Sequence, residues 1–185
     1  SPVCLVGGRI RRFLADGRTV VAFGGDAPGV GGSPADIYFR GATAVTSFKT
    51  AEVAAMRSDW GGSNATYVAL KGGEMGASHG NLDAGTFVLD ALGKRWAYEL
   101  GGDDYALPGY FSSTPSSGTD RWDYYRCRAE GQNTLVIGAT NGPDMKIGAV
   151  APVVFFQSEP SGDGSKAIVD LTPAYHGVSR AWRGY

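Results

Sequence analysis

The feature that most constrains the fold of this chain is a two-residue alternation of apolar side chains on both sides of a glycine turn. Within residues 86–100 the alternation runs through Phe87, Leu89 and Ala91 before Gly93, and through Trp96, Tyr98 and Leu100 after it. Successive side chains of a β-strand point to opposite faces of a sheet, so this spacing indicates two half-buried strands. Because a glycine turn separates them, the segment is predicted to be an antiparallel hairpin.

The rest of the chain repeats this pattern of short strands and turns. A second hairpin is predicted from residues 153–159 and 166–172, and further strands are predicted at 67–70 and 133–137. Ile10, Phe13 and Leu14 are spaced like a short helical stripe, while residues 51–56 fit either a helix or a strand. Several strands separated by turns favour a mainly β fold, an antiparallel β-sandwich, over a parallel α/β sheet.

The two ends of the chain differ from its centre. Residues 1–35 carry four arginines and a loop rich in glycine and proline. They are predicted to be an N-terminal connecting segment, with the sandwich domain occupying residues 36–185. Residues 179–185 resemble the start of another strand with no closing turn. We therefore expect the domain to be C-terminally truncated and the chain to be a fragment of a longer protein.

Composition excludes some classes of partner. The 185 residues contain 17 Lys and Arg against 18 Asp and Glu, a formal net charge of -1. This balance argues against a nucleic-acid partner. No apolar run approaches the ~20 residues that a membrane helix needs, so no membrane insertion is expected. Cys4 and Cys127 can pair only if the fold brings their Cα atoms within about 7 Å. Two free thiols are favoured, but the pairing stays open.

A short motif at residues 76–80 matches the G-x-S-x-G pattern of a serine nucleophile, with Ser78 followed by His79. That chemistry requires a strand, a sharp turn carrying the serine, and then a helix. The residues after the motif have a strand pattern instead. The motif therefore does not favour a serine hydrolase.

Four ordered blocks of sequence are far more specific. They comprise residues 78–101, 107–111, 121–126 and 130–135. Together they resemble the C-terminal β-sandwich domain of the heparinase II/III-like polysaccharide lyases, relatives of alginate lyases and heparinases. The resemblance implies a two-domain lyase in which this sandwich packs against an N-terminal (α/α) toroid that these residues do not include. It also implies an acidic polysaccharide substrate in the cleft between the domains, and a bacterial, periplasmic or secreted location.

The resemblance assigns a catalytic role to His79, which matches the first histidine of a family His-x-His pair. Asn81 stands at the second, zinc-binding position, Glu99 at a carboxylate ligand, and Gln132 at the last histidine ligand. Neutral amides are poor zinc ligands, so we expect the family zinc site to be degenerate and no metal cofactor to bind. The hypothesis is that Asn81, Glu99 and Gln132 form a hydrogen-bonded cluster in its place.

Aromatic and arginine side chains are candidates for sugar contact, because aromatic faces stack on sugars and guanidinium groups pair with carboxylates or sulfates. Tyr110 and Arg126 are the predicted substrate-binding residues. The resemblance therefore implies the C-terminal domain of a lyase that cleaves uronate-containing polysaccharide by β-elimination and is inactive without its toroid. The alternative is a non-catalytic carbohydrate-binding or structural sandwich derived from such a lyase.

Overall fold

The computed structural model describes residues 5–6, 9–10, 13–15, 18–24, 35–40, 51–58, 62–75, 79–112, 119–138, 143–157 and 165–185. Across these ranges the regular structure consists of β-strands and short 3-10 helices, with no α-helix. The strands are β1 Leu5–Val6, β2 Arg9–Ile10, β3 Phe13–Ala15, β4 Arg18–Gly24, β5 Ala35–Arg40, β6 Ala51–Arg57, β7 Tyr67–Glu74, β8 Phe87–Ala91, β9 Lys94–Ala97, β10 Val150–Ala151, β11 Val153–Gln157, β12 Lys166–Asp170 and β13 Trp182–Gly184. The 3-10 helices are Arg121–Asp123, Tyr125–Cys127, Ala129–Gly131 and Thr172–Ala174.

The strands pair antiparallel in three sheets of the described structure. The largest has the order β3-β4-β5-β6-β7-β8-β9, and β10 also pairs with β7. Strand β7 changes partner along its length, because Tyr67–Leu70 pair with β8 whereas Gly73 and Glu74 pair with β10. A three-stranded sheet has the order β11-β12-β13, and β1 pairs with β2 in a separate ribbon.

The three-stranded sheet packs against one face of the large sheet. Leu70 of β7 is buried together with Val153 of β11 and Val169 of β12. A Cβ atom added at Gly72 of β7 would lie 2.6 Å from a backbone oxygen of β10 and 3.3 Å from the Val153 side chain. Because only glycine allows this close approach, the strand can lie directly against the second layer. Two apolar sheet faces packed in this way are the arrangement expected of a β-sandwich.

A buried carboxylate also joins the two layers. Glu52 of β6 is only 2% exposed, and its Oε2 accepts a hydrogen bond of 2.6 Å from the backbone N–H of Val153. A buried charge is tolerated only when it is hydrogen-bonded. The bond therefore fixes the start of β11 over β6.

The structure confirms most of the predicted strands. Both predicted hairpins are present, as β8–β9 and as β11–β12, and the predicted strand at 67–70 is the first half of β7. The ambiguous residues 51–56 belong to β6, and the chain ends with β13, as expected from residues 179–185.

Two local predictions were wrong. The helical stripe expected around Ile10 and Phe13 falls on the short strands β2 and β3. The strand expected at 133–137 is irregular. There Asn133 donates from Nδ2 to the backbone oxygens of Phe87 and Tyr98, at 2.9 and 2.5 Å, and the Thr134 hydroxyl donates to the oxygen of Ala84. Side-chain bonds to the ends of neighbouring strands thus replace a regular strand ladder.

Cys127 is a buried free thiol, and burial raises its pKa. Cys4 lies outside the described residues, as do residues 76–78 of the G-x-S-x-G motif. None of the helices in the described ranges has the length and apolar character needed to cross a bilayer.

Candidate functional site

His79 lies in the turn that leads from β7 towards β8, and its side chain is exposed. Its φ angle is 61°, in the left-handed region, where histidine is one of the few non-glycine residues found with some frequency. The Tyr105 hydroxyl lies 3.4 Å from Nδ1 of His79, at the outer limit of hydrogen-bond distance. The turn therefore presents the imidazole to the surface with a phenol beside it.

An aromatic patch surrounds this histidine, and we define it as His79, Tyr105 and Phe111. The ring centre of His79 lies 5.7 Å from that of Tyr105 and 5.3 Å from that of Phe111. Tyr105 and Phe111 are themselves 5.1 Å apart and are 59% and 53% exposed. Tyr110 lies beneath them with 3% exposure, its ring centre within 5.4 Å of both. The patch is thus an exposed set of rings on a buried aromatic support, with the ring planes inclined to one another by 48–80°.

A buried guanidinium holds the base of the patch. Arg121 is 4% exposed and donates hydrogen bonds from three nitrogens: Nε to the oxygen of Gly80 at 2.8 Å, Nη1 to the oxygen of Tyr110 at 3.0 Å, and Nη2 to Oδ1 of Asn81 at 2.9 Å. Its carbon Cζ also lies 4.5 Å from the ring centre of Tyr110. One side chain therefore joins the His79 turn to the loop that carries Tyr110 and Phe111.

Local sequence explains why Arg121 takes this position. Asp120 caps the 3-10 helix Arg121–Asp123, because its side chain accepts from the N–H of Trp122 at 2.8 Å, while Asp123 accepts from the N–H of Asp120 at 2.9 Å. This reciprocal arrangement is a capping box. It fixes the backbone at Arg121 at the beginning of the short helix, and the buried ring of Trp122 anchors the next residue.

The comparison with known families follows this geometry. A family model described as heparinase II/III-like, C-terminal, matches residues 40–181, which is well over half of the chain. The chain belongs to the heparinase II/III-like C-terminal family. This confirms the resemblance seen in the sequence blocks. No curated protein gives a significant match to the chain. The family match begins at residue 40, so the predicted boundary between a connecting segment at 1–35 and a domain at 36–185 stays a prediction.

The predicted cluster of Asn81, Glu99 and Gln132 is divided between two networks. Gln132 Nε2 lies 3.5 Å from Oε1 of Glu99 and donates a shorter bond of 2.7 Å to the oxygen of Arg126. Asn81 instead accepts from Arg121. Glu99 also accepts from the N–H of Gly101 at 2.6 Å. The Glu99–Gln132 contact of the hypothesis is therefore present, while the partner of Asn81 is a guanidinium that the hypothesis did not include.

The residues at the zinc positions of the heparinase II/III-like family do not fit a zinc ion. They supply one exposed carboxylate and two neutral amides, a poor donor set for this metal. The oxygen of Asn81 that would face a cation is 2.9 Å from a positively charged nitrogen of Arg121. Within the described ranges, no group of three or more His, Cys, Asp or Glu side chains is placed to hold a metal. The expected absence of a metal cofactor stays a prediction.

Tyr110 and Arg126, the two residues predicted to bind substrate, support the surrounding loops. Nη1 of Arg126 donates to the backbone oxygens of Leu100 and Gly102, at 3.1 and 3.0 Å, and Nε lies 3.7 Å from Oδ1 of Asp103. The Tyr110 hydroxyl accepts from the N–H of Asp103 at 3.2 Å, and its ring is buried. Direct substrate contact by either residue stays a prediction. In this structure Arg126 is half-exposed, whereas Tyr110 has almost no surface to offer.

An ion pair connects β7 to the segment between His79 and β8. Nζ of Lys71 contacts both carboxylate oxygens of Asp83, at 2.7 and 2.6 Å. Burial raises the pKa of Asp83 above its ordinary value, although the contact with Lys71 acts in the opposite direction. This partly buried pair anchors the segment that follows His79.

Tyr105 and Arg121 are among the aromatic and arginine side chains that the sequence offers for sugar contact, but only Tyr110 and Arg126 were singled out there, and Phe111 had no predicted role. The available signal was the capping-box spacing around Arg121, with Asp120 and Asp123 three residues apart. No sequence signal pairs Arg121 with Asn81, which is 40 residues away.

Proposed function

We propose that this chain is the β-sandwich portion of a polysaccharide lyase that cleaves a uronate-containing acidic polysaccharide by β-elimination. Family membership supports the lyase class, and the observation that carries the site is the exposed imidazole of His79 among exposed aromatic rings. By resemblance, an N-terminal (α/α) toroid supplies the opposite wall of the substrate cleft. The same resemblance makes the location periplasmic or secreted.

In this reaction the C5–H and C4–O4 bonds of the sugars break and a C4=C5 double bond forms. A base takes the C5 proton of the uronate, and an acid protonates the bridging oxygen O4, which leaves attached to C1 of the neighbouring sugar. The C5 proton is weakly acidic, so the site must stabilise negative charge that develops on the adjacent carboxylate. The resemblance places the base and the acid largely in the toroid.

His79 is suited to stabilising that carboxylate from the sandwich side. An imidazole ring can donate an N–H to an anion. With Nδ1 turned to the Tyr105 hydroxyl, Nε2 is the nitrogen that would meet the uronate. The rings of Tyr105 and Phe111 would stack on neighbouring sugar units, with Arg121 holding both loops in position.

The test is production of unsaturated uronate, followed by its ultraviolet absorbance, with alginate, heparin and other acidic glycans as substrates. The native longer chain should form product, whereas the 185 residues alone should not. His79→Asn in the longer chain should lower turnover roughly a hundredfold or more. Asparagine tolerates the left-handed backbone of this turn, so the urea midpoint should change little.

His176→Asn is the matched control, because His176 is the other histidine of the chain and is also exposed. It should leave turnover unchanged. Equal turnover of the native and His79→Asn enzymes would remove His79 from the mechanism. Binding of glycan by the longer chain without any product would instead favour the non-catalytic carbohydrate-binding alternative.

A further inference from the structure

A row of four polar side chains crosses the large sheet at the end remote from the His79 turn. The register pairs Arg57 of β6 with Tyr67 of β7, Tyr67 with Asp90 of β8, and Asp90 with Arg95 of β9. Directly paired residues of antiparallel strands point to the same face of a sheet. The four side chains therefore stand side by side on one face, opposite the face that buries Met56 and Leu70.

An open cavity of ≈ 740 Å³ lies over this row. All four side chains of the row line it, together with Lys94 at the start of β9. The remaining lining consists largely of glycine and alanine, which leave the floor accessible. A cavity of this size falls in the range of small-ligand sites, which span roughly 300–1,000 Å³, and it is much larger than a single inorganic anion requires.

The lining charge is predominantly positive. Arg57, Lys94 and Arg95 contribute three cations and Asp90 one carboxylate. Nε and Nη2 of Arg95 bind the two oxygens of Asp90 at 2.6 and 2.8 Å, so these two charges largely offset one another. Cζ of Arg57 lies 6.0 Å from the ring centre of Tyr67. The cavity therefore combines the Tyr67 ring with a lining in which cationic side chains outnumber the one carboxylate, and Lys94 lies beside the Asp90–Arg95 pair.

This cavity is separate from the aromatic patch. Tyr67 begins β7 and Glu74 ends it, a span of about 23 Å at ~3.3 Å per residue. The chain reaches His79 only after leaving the Glu74 end. Neither the rings of the aromatic patch nor Arg121 line the cavity.

We propose that the cavity is a second glycan-binding site, which takes a carboxylated or sulfated sugar unit of an acidic polysaccharide. A sugar ring would lie against the Tyr67 ring, and its anionic group would pair with Lys94, since ammonium groups bind carboxylates and sulfates. The choice of an acidic glycan rests on the proposed function, whereas the cavity and its charge do not. Such a site would hold a distant part of the polymer without taking part in its cleavage.

The test uses the isotope-labelled 185-residue chain, titrated with an alginate-derived hexasaccharide and a heparin-derived hexasaccharide while backbone amide signals are followed by NMR. Signals of residues 62–67 and 90–95 should shift. Tyr67→Ala and Lys94→Ala should each weaken binding at these signals, roughly tenfold for the tyrosine. Lys166→Ala removes one exposed positive charge from β12 and should have little effect. His79→Asn should leave binding at these signals unchanged.

Several outcomes would contradict the proposed second glycan-binding site. These are the absence of shifts at residues 62–67 and 90–95, equal weakening by Lys94→Ala and Lys166→Ala, or equal affinity for a neutral hexasaccharide. Binding of inorganic sulfate as tight as that of either hexasaccharide would make it a simple anion site and would also overturn it. If Tyr67→Ala fails to fold, Lys94→Ala decides the question. The outcome is independent of the lyase assay, because an inactive longer chain could still bind glycan here, and an active one could lack this site.

Discussion

The replacement of Arg121 by methionine is the most direct test of what holds the candidate site together. Methionine keeps an unbranched apolar stem of similar length but removes the three hydrogen bonds to Gly80, Tyr110 and Asn81. The carbonyl of Tyr110 lies in a buried contact, so its loss of a partner costs about 1–3 kcal/mol. Gly80 and Asn81 are partly exposed and can be solvated by water at a smaller cost.

The cation–π contact with Tyr110 contributes about 1 kcal/mol more in a partly desolvated setting. We therefore expect Arg121→Met to lower the free energy of unfolding by about 2–4 kcal/mol. Arg121→Lys should recover part of this, because a single ammonium group cannot reach three acceptors that a guanidinium spans.

Urea unfolding followed by tryptophan fluorescence provides the measurement. Arg95→Met is the matched control, because Arg95 also forms two hydrogen bonds through its guanidinium, but to the exposed Asp90. Solvent screens such a pair, so its loss should change stability little. In Arg121→Met, hydrogen exchange of the Leu82 amide, which donates to Cys127 at 2.9 Å, should also accelerate.

Equal losses of stability in Arg121→Met and Arg95→Met, or unchanged hydrogen exchange at the Leu82 amide, would contradict this role of Arg121.

The metal content of the chain is a separate prediction. Elemental analysis of the purified chain should find less than one zinc per molecule, and a chelator should not move the urea midpoint. Stoichiometric zinc together with a chelator-sensitive midpoint would contradict this expectation and show that the chain holds a structural metal.

Two further predictions concern the backbone and pH. Gly109 and Gly101 both have positive φ, 69° and 73°, but a Cβ at Gly109 would lie 2.0 Å from the backbone oxygen of Thr119, whereas Gly101 has open space. Gly109→Ala should therefore destabilise the chain by roughly 1–3 kcal/mol more than Gly101→Ala in urea unfolding, and equal losses would contradict the clash. Burial raises the pKa of Tyr185 to about 12, from 10.0, so the folded state retains the phenolic proton better than the unfolded state. This contribution is complete below pH 10 and is lost as pH rises towards 12, so wild-type stability should fall by about 2–3 kcal/mol more than that of Tyr185→Phe over this interval; parallel pH profiles would contradict it.

The local pattern of the sequence was sufficient for the elements whose pairing is close in the chain. The β8–β9 hairpin depends on alternation and one glycine turn, and both are visible in residues 86–100. The irregular residues 133–137 show where this reasoning stops. Leu135, Val136 and Ile137 have high β propensity, but propensity describes a fit to neighbouring strands. Here the neighbouring strand ends are already bonded by the side chains of Asn133 and Thr134.

The candidate site also has parts that local sequence predicts and parts that it does not. The position of His79 and the substitutions at 81 and 132 could be recognised from local blocks. The contacts that support these residues could not be recognised, because Arg121 and Gly80 are 41 residues apart in the chain and Gln132 and Glu99 are 33 residues apart. Such contacts are set by how the loops meet after the sheet has formed, and single-sequence periodicity contains no information about them.

The side chain at position 81 contacts Arg121 where these loops meet. A metal ion needs donor atoms with negative or readily polarised lone pairs and brings its own positive charge to them. The site here already contains the positive charge of Arg121, directed at Oδ1 of Asn81, at Gly80 and at Tyr110. A neutral amide oxygen satisfies a guanidinium donor without adding a second cation, whereas a metal at the same point would repel it. Asn81 and Arg121 therefore form one unit: the guanidinium joins the His79 turn to the loop of Tyr110, and the amide oxygen of Asn81 is one of its three acceptors.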